Sequence, residues 1–457
     1  MAWKKNDVTE LEITGMTAEG SGVGRTADGM AVFISGAAVG DVLRVKLIKV
    51  SKNYAVGRIE AILTASPDRQ TADCPVAAPC GGCVYRHITY EAEKNIKQQK
   101  VADAIARIGG LPEVPVRPIV GAVEPDHYRN KAQLPVGRDA SGKLCVGFFA
   151  ARSHRIIPCG DCRLQPEAFG NIIRAFLAWA EEVHAQPYDE EKHTGLLRHL
   201  CIRQAGATNQ RMVCIVANGD RLPKEKRLVE LLRQADDTVV SVILNVNTKR
   251  TNVIMGEECR IIWGDGVITD RLCGLYFDIS PLSFYQVNRE QAERLYGIAA
   301  DYAALKDGET LLDLYCGTGT IGLSMAAKAG QLYGAEIVPQ AIENAWENAR
   351  KNHIDNAEFF CADAAEAADV LAKRGVKPHV VVVDPPRKGC SVEVLEIIAD
   401  KLCPERLVYV SCDPATLARD LKLLTEMGYK TQEVTPVDMF PRTSHVESVA
   451  CLERRKK

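Results

Sequence analysis

The sequence predicts an α/β protein: a doubly wound, mostly parallel C-terminal sheet, a small N-terminal β-barrel, and a mixed α+β region between them. Three observations carry that prediction. Residues 1 to about 62 alternate apolar and polar positions between closely spaced glycines. From about 285 onward, short apolar strands alternate with helices. The stretch between them mixes both kinds of element with abundant turns. A length of 457 residues fits several domains. With 46% hydrophobic and 25% charged residues, the chain has an ordinary globular composition. No apolar run approaches the roughly 20 residues of a membrane span. Met1–Glu10 lacks a secretory apolar core, so a cytoplasmic protein without membrane contact is expected. A formal charge of −2 excludes a globally basic nucleic-acid binder but not a local basic face.

The barrel strands are read from LEITGM, AVFISG, DVLRVKLIKV and YAVGRIEAIL, with Gly15, Gly20, Gly22, Gly24, Gly29, Gly36, Gly40 and Gly57 as punctuation. A linker around Pro67 leads into residues 74–83, a Gly/Pro-rich stretch with three cysteines that is too irregular for a strand or helix. A helix is expected from Tyr90 to Ile108, stopped by Gly109-Gly110, with a contact to the C-terminal domain. VCIVAN, VVSVILNVN and NVIMG are the clearest strands of the middle region, and NIIRAFLAWAEEV its clearest helix. QVNREQAERLYGIAADYAAL opens the last part as a helix. The series TLLDLYC, QLYGAEI, AEFFCAD, HVVVVDPP, RLVYVSCDP and ESVACLER then alternates with helices, the signature of an open sheet covered on both faces. The expected division is 1–62, 63–284 and 285–457.

LLDLYCGTGTIGL is a strand, a glycine-rich turn and the start of a helix. Gly317, Gly319 and Gly322 satisfy G-x-G-x-x-G, and Glu336 ends the next strand 19 residues after Gly317. Such glycines let a backbone approach a nucleotide, and a carboxylate at the second strand end can hold ribose hydroxyls, as in Rossmann-like domains. By spacing alone, NAD and S-adenosylmethionine fit equally well. Asp313 before the glycines, Asp363 after the third strand and Asp384-Pro385-Pro386 after the fourth favour the sulfonium donor.

Asp384 and Cys412 both follow buried strands, where open α/β sheets bind ligands. Ser411-Cys412-Asp413-Pro414 places a thiol on a turn leading into a helix, a setting that lowers thiol pKa. Cys412 is therefore the candidate nucleophile. Cys316, in the glycine turn, and Cys390, past the Pro-Pro corner, are its rivals. Glu447, entering a terminal strand after His445, is the candidate general base.

Together, DLYCGTGTIGL, DPPRKG, SCDPATLARDL and PRTSHVE resemble the RNA uracil-5-methyltransferases. The branch with an N-terminal TRAM domain and an iron-sulfur cluster, which modifies 23S ribosomal RNA, is the most similar, and YRNKAQLPVG and the barrel extend the likeness over essentially the whole chain. The resemblance implies Cys412 as nucleophile and Glu447 as base, with Gln286, Tyr315, Glu336 and Asp384 around S-adenosylmethionine. It also implies 23S rRNA as substrate, with tRNA as runner-up. A monomer is the default. An NAD-dependent oxidoreductase explains the glycines but neither the DPP corner nor SCDPATLARD.

Cys74, Cys80 and Cys83 follow C-x5-C-x2-C, and Cys159 and Cys162 are candidates for a fourth ligand. All-cysteine ligation suits zinc or iron-sulfur. The resemblance implies a 4Fe-4S cluster on Cys74, Cys80, Cys83 and Cys162, with Cys159 as an extra thiol. Residues 117–163 carry eight Lys/Arg against four acidic residues, together with Tyr128, Phe148, Phe149, His127 and His154. That mixture is expected to form an RNA-binding face.

Overall fold

Three large sheets follow one another along the chain in a computed structural model, described over residues 3–151 and 153–455, with a two-stranded hairpin, Ile268–Leu272 and Leu275–Ile279, between the second and third. The first closes on itself. Strands Val8–Met16, Gly22–Arg25, Ala31–Ile34, Val42–Val50 and Tyr54–Thr64 form a barrel in which the fifth strand lies between the third and fourth. Alternation fills it: Leu11, Ile13, Val32, Ile34, Leu43, Val45 and Leu47 are its buried core. The glycine run itself supplies the strand Gly22–Arg25, which the apolar pattern does not reveal. A Cβ at Gly24 would lie 2.4 Å from Leu11 Cδ1, so the close approach of the strands requires glycine there.

The second sheet has seven strands, ordered Glu258–Gly264, Val239–Val246, Arg211–Ala217, Leu197–Gln204, Lys131–Arg138, Leu144–Phe149 and Ile156–Pro158. Helices Ala168–Glu182 and Glu225–Ala235 contribute Phe176, Trp179, Leu228 and Leu232 to its main hydrophobic cluster. NVIMG, expected as a strand, is not one. Its backbone is held instead by two asparagines of the neighbouring segment. Asn247 Nδ2 donates to Val253 O at 2.8 Å and Ile254 O at 3.0 Å, and Asn245 Oδ1 accepts from Gly256 N at 2.7 Å. Side-chain amides here replace a ladder.

The third sheet also has seven strands, in the order Ala357–Cys361, Gln331–Glu336, Thr310–Leu314, Val380–Val383, Arg406–Ser411, Glu447–Arg454 and Tyr429–Val437. The first five are parallel, and Glu447–Arg454 enters antiparallel between Arg406–Ser411 and Tyr429–Val437. Continuous burial of Val380 to Val383 explains why these strands read as apolar runs. Tyr429–Val437, with Lys430, Gln432 and Glu433, lacks such a run and escapes the sequence pattern. Cys80 ends a short helical turn, Ala77–Cys80, where none was expected.

Helix Tyr90–Asp103 continues as a π-helical turn, Ala104–Ile108. Val101, Ala104 and Ile105 share a core with Leu417, Ala418 and Leu421 of helix Pro414–Glu426, so the helix packs on the third sheet's domain as expected. Further on, Arg117 N donates to Val434 O and Val120 N to Pro436 O, which fastens the following segment to the sheet edge.

Candidate active site

Register brings the two candidate catalytic groups together. Ser411 pairs with Ser448 across antiparallel strands, and the next positions in that register are Cys412 and Glu447. Cys412 is half-buried and Glu447 is buried. Asp384 leaves the neighbouring strand beside them, and the thiol lies within the fields of both carboxylates and of Arg387. Burial first, then Glu447 and Asp384, push the Cys412 thiol up to about 11, against a smaller pull from Arg387. The expected lowering by the helix-entry turn is therefore corrected. Loss of water and two facing acids outweigh the local backbone dipoles. Burial and the charge of Asp384 raise Glu447 to about 8, and burial raises Asp384 to about 6. The site is a desolvated pair of acids against a thiol.

The SCDPATLARD segment also clamps the DPPRKG turn. Asp413 caps its own helix, accepting from Ala415 N at 2.9 Å and Thr416 N at 3.0 Å. Thr416 Oγ1 donates to Arg387 O at 3.2 Å, and Arg419 Nη2 to Lys388 O at 2.9 Å. Asp420 accepts from Cys390 N at 2.9 Å and from the Tyr409 hydroxyl. A Cβ at Gly389, where φ is +75°, would stand 2.5 Å from Asp420 Oδ2. Sequence reading missed this task for Asp420 and Arg419; the signal was the charged pair in an otherwise apolar helix face. Cys390 is buried with its thiol pushed up to about 12, and Cys316 is buried and raised well above the ordinary thiol range.

At the glycine turn, Glu336 accepts from Gly317 N at 3.3 Å and Val338 N at 3.0 Å, which fixes its carboxylate beside the turn. Ile337 and Val338, next along the chain, are 63% and 50% exposed, an uncovered apolar ledge. Asp313 is buried and accepts from Gly322 N at 2.8 Å, while its Oδ1 has no partner among the described residues. Asp363 caps helix Ala364–Lys373 through Ala365 N at 2.9 Å, a structural task beside its expected one. Tyr315 is half-buried with φ of +67°, a left-handed backbone on the last residue before Cys316. Gln286 lies on the approach to helix Arg289–Ala303, and its carbonyl accepts from Asn130 Nδ2 at 2.8 Å. Asn130 of YRNKAQ, given no role beforehand, thus pins the Gln286 loop.

All sixteen cysteines are free thiols. Burial raises the thiols of Cys80 and Cys83, with small additions from Cys162 and Cys74, so these four side chains share one neighbourhood. Cys159 hydrogen-bonds Cys162 and is displaced upward by it. Among the described residues, no group of three or more His, Cys, Asp or Glu is placed to grip a metal ion. Arg86, nearly buried, ties this segment down by pairing with Asp73 at 2.7 Å and with Asp126.

Much of the basic segment is engaged within the protein. Arg117 pairs with Glu433, and Arg163 with Asp73 at 3.5 Å; burial pushes Lys131 down to about 8. The Tyr128 hydroxyl donates to Pro441 O at 2.9 Å, and Phe148 packs against the second sheet's core. Phe149, 36% exposed beside His154, is the ring left at the surface. The expected RNA face is correspondingly smaller than its composition implies. Among the described residues, no helix is long and apolar enough to cross a membrane.

Comparison with known proteins assigns both parts of this arrangement. Residues 97–455 match the family described as tRNA (Uracil-5-)-methyltransferase, and residues 2–59 match the TRAM domain. An uncharacterized RNA methyltransferase of Clostridium tetani is 46% identical over 98% of this chain and 96% of its own length. One of Halalkalibacterium halodurans is 47% identical over 98% and 97%. The crystal structure of Pyrococcus abyssi tRNA (uracil-54, C5)-methyltransferase in complex with S-adenosyl-L-homocysteine is similar with a TM-score of 0.79 at 28% identity, covering 97% of this chain and 100% of that one. With its barrel, its SAM-methyltransferase sheet and this match over most of its length, the chain belongs to the tRNA (Uracil-5-)-methyltransferase family.

Proposed function

We propose that this protein methylates carbon 5 of a uridine in 23S rRNA, using S-adenosylmethionine and a covalent adduct between Cys412 and the uracil. The observation that carries the proposal is the register that sets Cys412 opposite Glu447, with Asp384 alongside. Carbon 5 of uracil is a poor nucleophile. Addition of the Cys412 thiolate to carbon 6 breaks the ring conjugation and leaves an enolate with an electron-rich carbon 5. S-adenosylmethionine would supply its sulfonium-bound methyl group to that carbon, the methyl–sulfur bond breaking so that S-adenosylhomocysteine leaves with the electron pair. Glu447 then removes the remaining carbon-5 proton, the double bond re-forms, and Cys412 departs as thiolate. Positioned proton transfer of this kind contributes about 10²–10⁴ in rate.

The donor fits the glycine turn. Glu336 is held where ribose hydroxyls would reach it, the ledge of Ile337 and Val338 offers an apolar face to a purine, and Asp313, which burial raises to about 8, keeps an unpartnered oxygen behind the turn. Gln286, Tyr315 and Asp384 complete the proposed binding set. Asp384, raised by burial to about 6, also faces the uracil edge in this reading.

Cys74, Cys80, Cys83 and Cys162 are proposed to hold a 4Fe-4S cluster. Four free thiols in one neighbourhood, with Gly81 at a φ of +67° in the loop, support that ligand set, although among the described residues they are not gathered around a common point. Its task is structural, since methyl transfer moves no electrons overall. The proposed division remains barrel, middle and catalytic domain, with the first break moved from 62 to the end of the barrel strand at Thr64 and the second at 284, the helix from Tyr90 lying on the catalytic domain.

A tRNA substrate is the second reading, favoured by the likeness to a tRNA (uracil-54, C5)-methyltransferase. Mapping 5-methyluridine in rRNA and tRNA with and without the gene separates the two. An SDS-stable adduct with 5-fluorouridine RNA tests the mechanism, because fluorine at carbon 5 cannot leave as a proton; no adduct with any RNA of the source cell counts against it.

A further inference from the structure

One catalytic cycle moves two protons, and the site described above has one base for them. Burial and the two facing carboxylates raise the Cys412 thiol to about 11, so its proton has to be taken before the sulfur adds to carbon 6. The carbon-5 proton leaves later, to Glu447. A carboxylate already filled by the first proton cannot take the second, and Asp384 faces the uracil edge. We propose that His445 accepts the Cys412 proton across the cavity that both residues border, which keeps Glu447 free for carbon 5. The proposal rests on the RNA-methylation reading.

The chain itself aims the imidazole at the thiol. Val446 is 1% exposed and lies in the hydrophobic core with Tyr409 and Ala450. Side chains alternate along an extended segment, so His445 and Glu447 project to the side away from Val446. Cys412 faces that side too, because it lies opposite Glu447 in the strand register. His445 and Cys412 then meet at a cavity of about 810 Å³, which Arg387 and Asp413 also line and from whose lining Glu447 is absent. Phe440 supports the ring edge-on, 6.2 Å between centroids, and Thr443 Oγ1 accepts from His445 N at 3.3 Å. The ring is exposed on the cavity, and neither of its nitrogens has a hydrogen bond or ion pair among the described residues.

Cations surround the ring. Partial burial first, then Arg387 of the DPPRKG turn, Lys100 and Lys97 of the helix from Tyr90, and Arg129 of YRNKAQ hold its pKa below the ordinary histidine range. It is therefore neutral at neutral pH, with one nitrogen free to accept a proton. Of the acids lining the cavity, Asp413 accepts from Ala415 N and Thr416 N of its own helix, Asp103 from Gln99, and Glu19 and Asp68 stand on the barrel side. Proton transfer from the thiol is uphill before RNA and donor bind, and it is completed as sulfur bonds to carbon 6, as general-base catalysis. The S–H proton stays on the imidazole while the adduct lasts and returns to the sulfur when the thiolate departs. The surrounding cations favour that return by repelling the imidazolium. The one net proton of the reaction, from carbon 5, leaves through Glu447.

The test times the first proton alone. An RNA that the wild-type protein methylates is made with 5-fluorouridine at the target, so that the reaction stops at the SDS-stable adduct before any carbon-5 proton is removed. The rate of adduct formation with S-adenosylmethionine is measured under single-turnover conditions for wild type, His445→Ala and His445→Gln. Both variants should be slower by about 10² or more, as loss of a positioned proton acceptor implies. Added imidazole should restore part of the His445→Ala rate in proportion to its free base, since the cavity admits it, and should leave His445→Gln slow because the longer side chain fills the place. Melting temperatures should match wild type, because the ring is exposed. Either variant at the wild-type rate, or a slow His445→Ala that imidazole does not accelerate, overturns the assignment. If the wild type forms no adduct with any RNA of the source cell, the underlying methylation reading falls instead.

Discussion

Cys412 and Cys162 are both half-buried thiols with an ionisable neighbour, yet their acidities move in opposite directions. Cys412 loses water and faces two carboxylates, so its thiol is raised. Cys162 receives a hydrogen bond from Cys159, backbone N–H groups from Leu164 and Gln165, and the field of Arg129, so it falls below the ordinary thiol range. The difference teaches that a thiol's partners decide its acidity where burial is similar: Cys80 and Cys83, raised by burial, follow Cys412, and of the proposed ligands Cys162 is the one held toward thiolate by donors around it. A nucleophile between acids stays protonated until something else enters, and the cationic donor proposed for this site is a charge of the sign that would change its acidity.

The largest expected effects test the first half of that contrast. Cys412→Ala should lower methyl transfer by roughly 10⁴ or more, as loss of a covalent nucleophile does. It should also abolish the 5-fluorouridine adduct on a denaturing gel while RNA binding persists. Glu447→Gln should lower turnover by about 10²–10⁴ and let the methylated adduct accumulate. With Glu447 raised to about 8, wild-type transfer should climb as pH rises through that value, because a base acts only once deprotonated. The stability sign is opposite. The folded carboxyl binds its proton more tightly than the unfolded one near 4.5, so its contribution is full below 4.5 and lost as pH rises through about 8. Thermal melts should therefore find Glu447→Gln more stable than wild type near about pH 9 and equal to it near about pH 4.

What could be read beforehand follows from the range of the forces. Val380–Val383 and Leu311–Leu314 are buried on both faces, so their apolar runs announced the parallel sheet and located Asp384 and the glycine turn. Cys412 was legible because strand, turn and capping Asp413 are contiguous. Glu447 was read as the base for Cys412 from its place at the entry to a terminal strand and then from the resemblance, but their facing register was not legible, since it depends on Glu447–Arg454 inserting antiparallel, which no local pattern encodes. The sign of the thiol shift was misread for the same reason. The helix-entry turn is local, while Glu447 and Asp384 arrive from distant strands. Asn130, Asp420 and Lys97 escaped because each works through partners far away in the chain.

Lys97 gives the next largest effect. It is fully buried, with Nζ donating to Glu93 Oε1 and Asp438 Oδ1, both at 2.7 Å, and to Phe440 O at 3.1 Å. Glu93 also accepts from Arg442 N at 2.7 Å, so the helix from Tyr90 holds the whole approach to His445 and Glu447. Lys97→Met leaves buried carboxylates without their cation and should cost about 3–5 kcal/mol in denaturant unfolding. Adding Glu93→Leu should recover part of that loss, a coupling that a double-mutant cycle reads directly.

The smallest effects test the ligating half. Cys80→Ala should remove the brown visible absorbance expected of an anaerobically purified cluster protein and lower the melting temperature, with less effect on single-turnover transfer than Glu447→Gln. The link is mechanical: the cysteine loop reaches the catalytic loop through Val84 N, which donates to Arg442 O at 2.7 Å. Cys159→Ala discriminates further. If Cys162 is the fourth ligand, Cys159 only donates to a sulfur that the cluster itself would engage, and its removal should leave the absorbance intact. If Cys159 is the ligand, its loss should bleach the protein as fully as Cys80→Ala, and Cys162→Ala should then be the silent change. A colourless, zinc-loaded anaerobic preparation of the wild type would refute both assignments. The charged, donor-rich surroundings of Cys162 argue for the first outcome, because a thiol already stabilised as thiolate is the one that gives up least to bind iron.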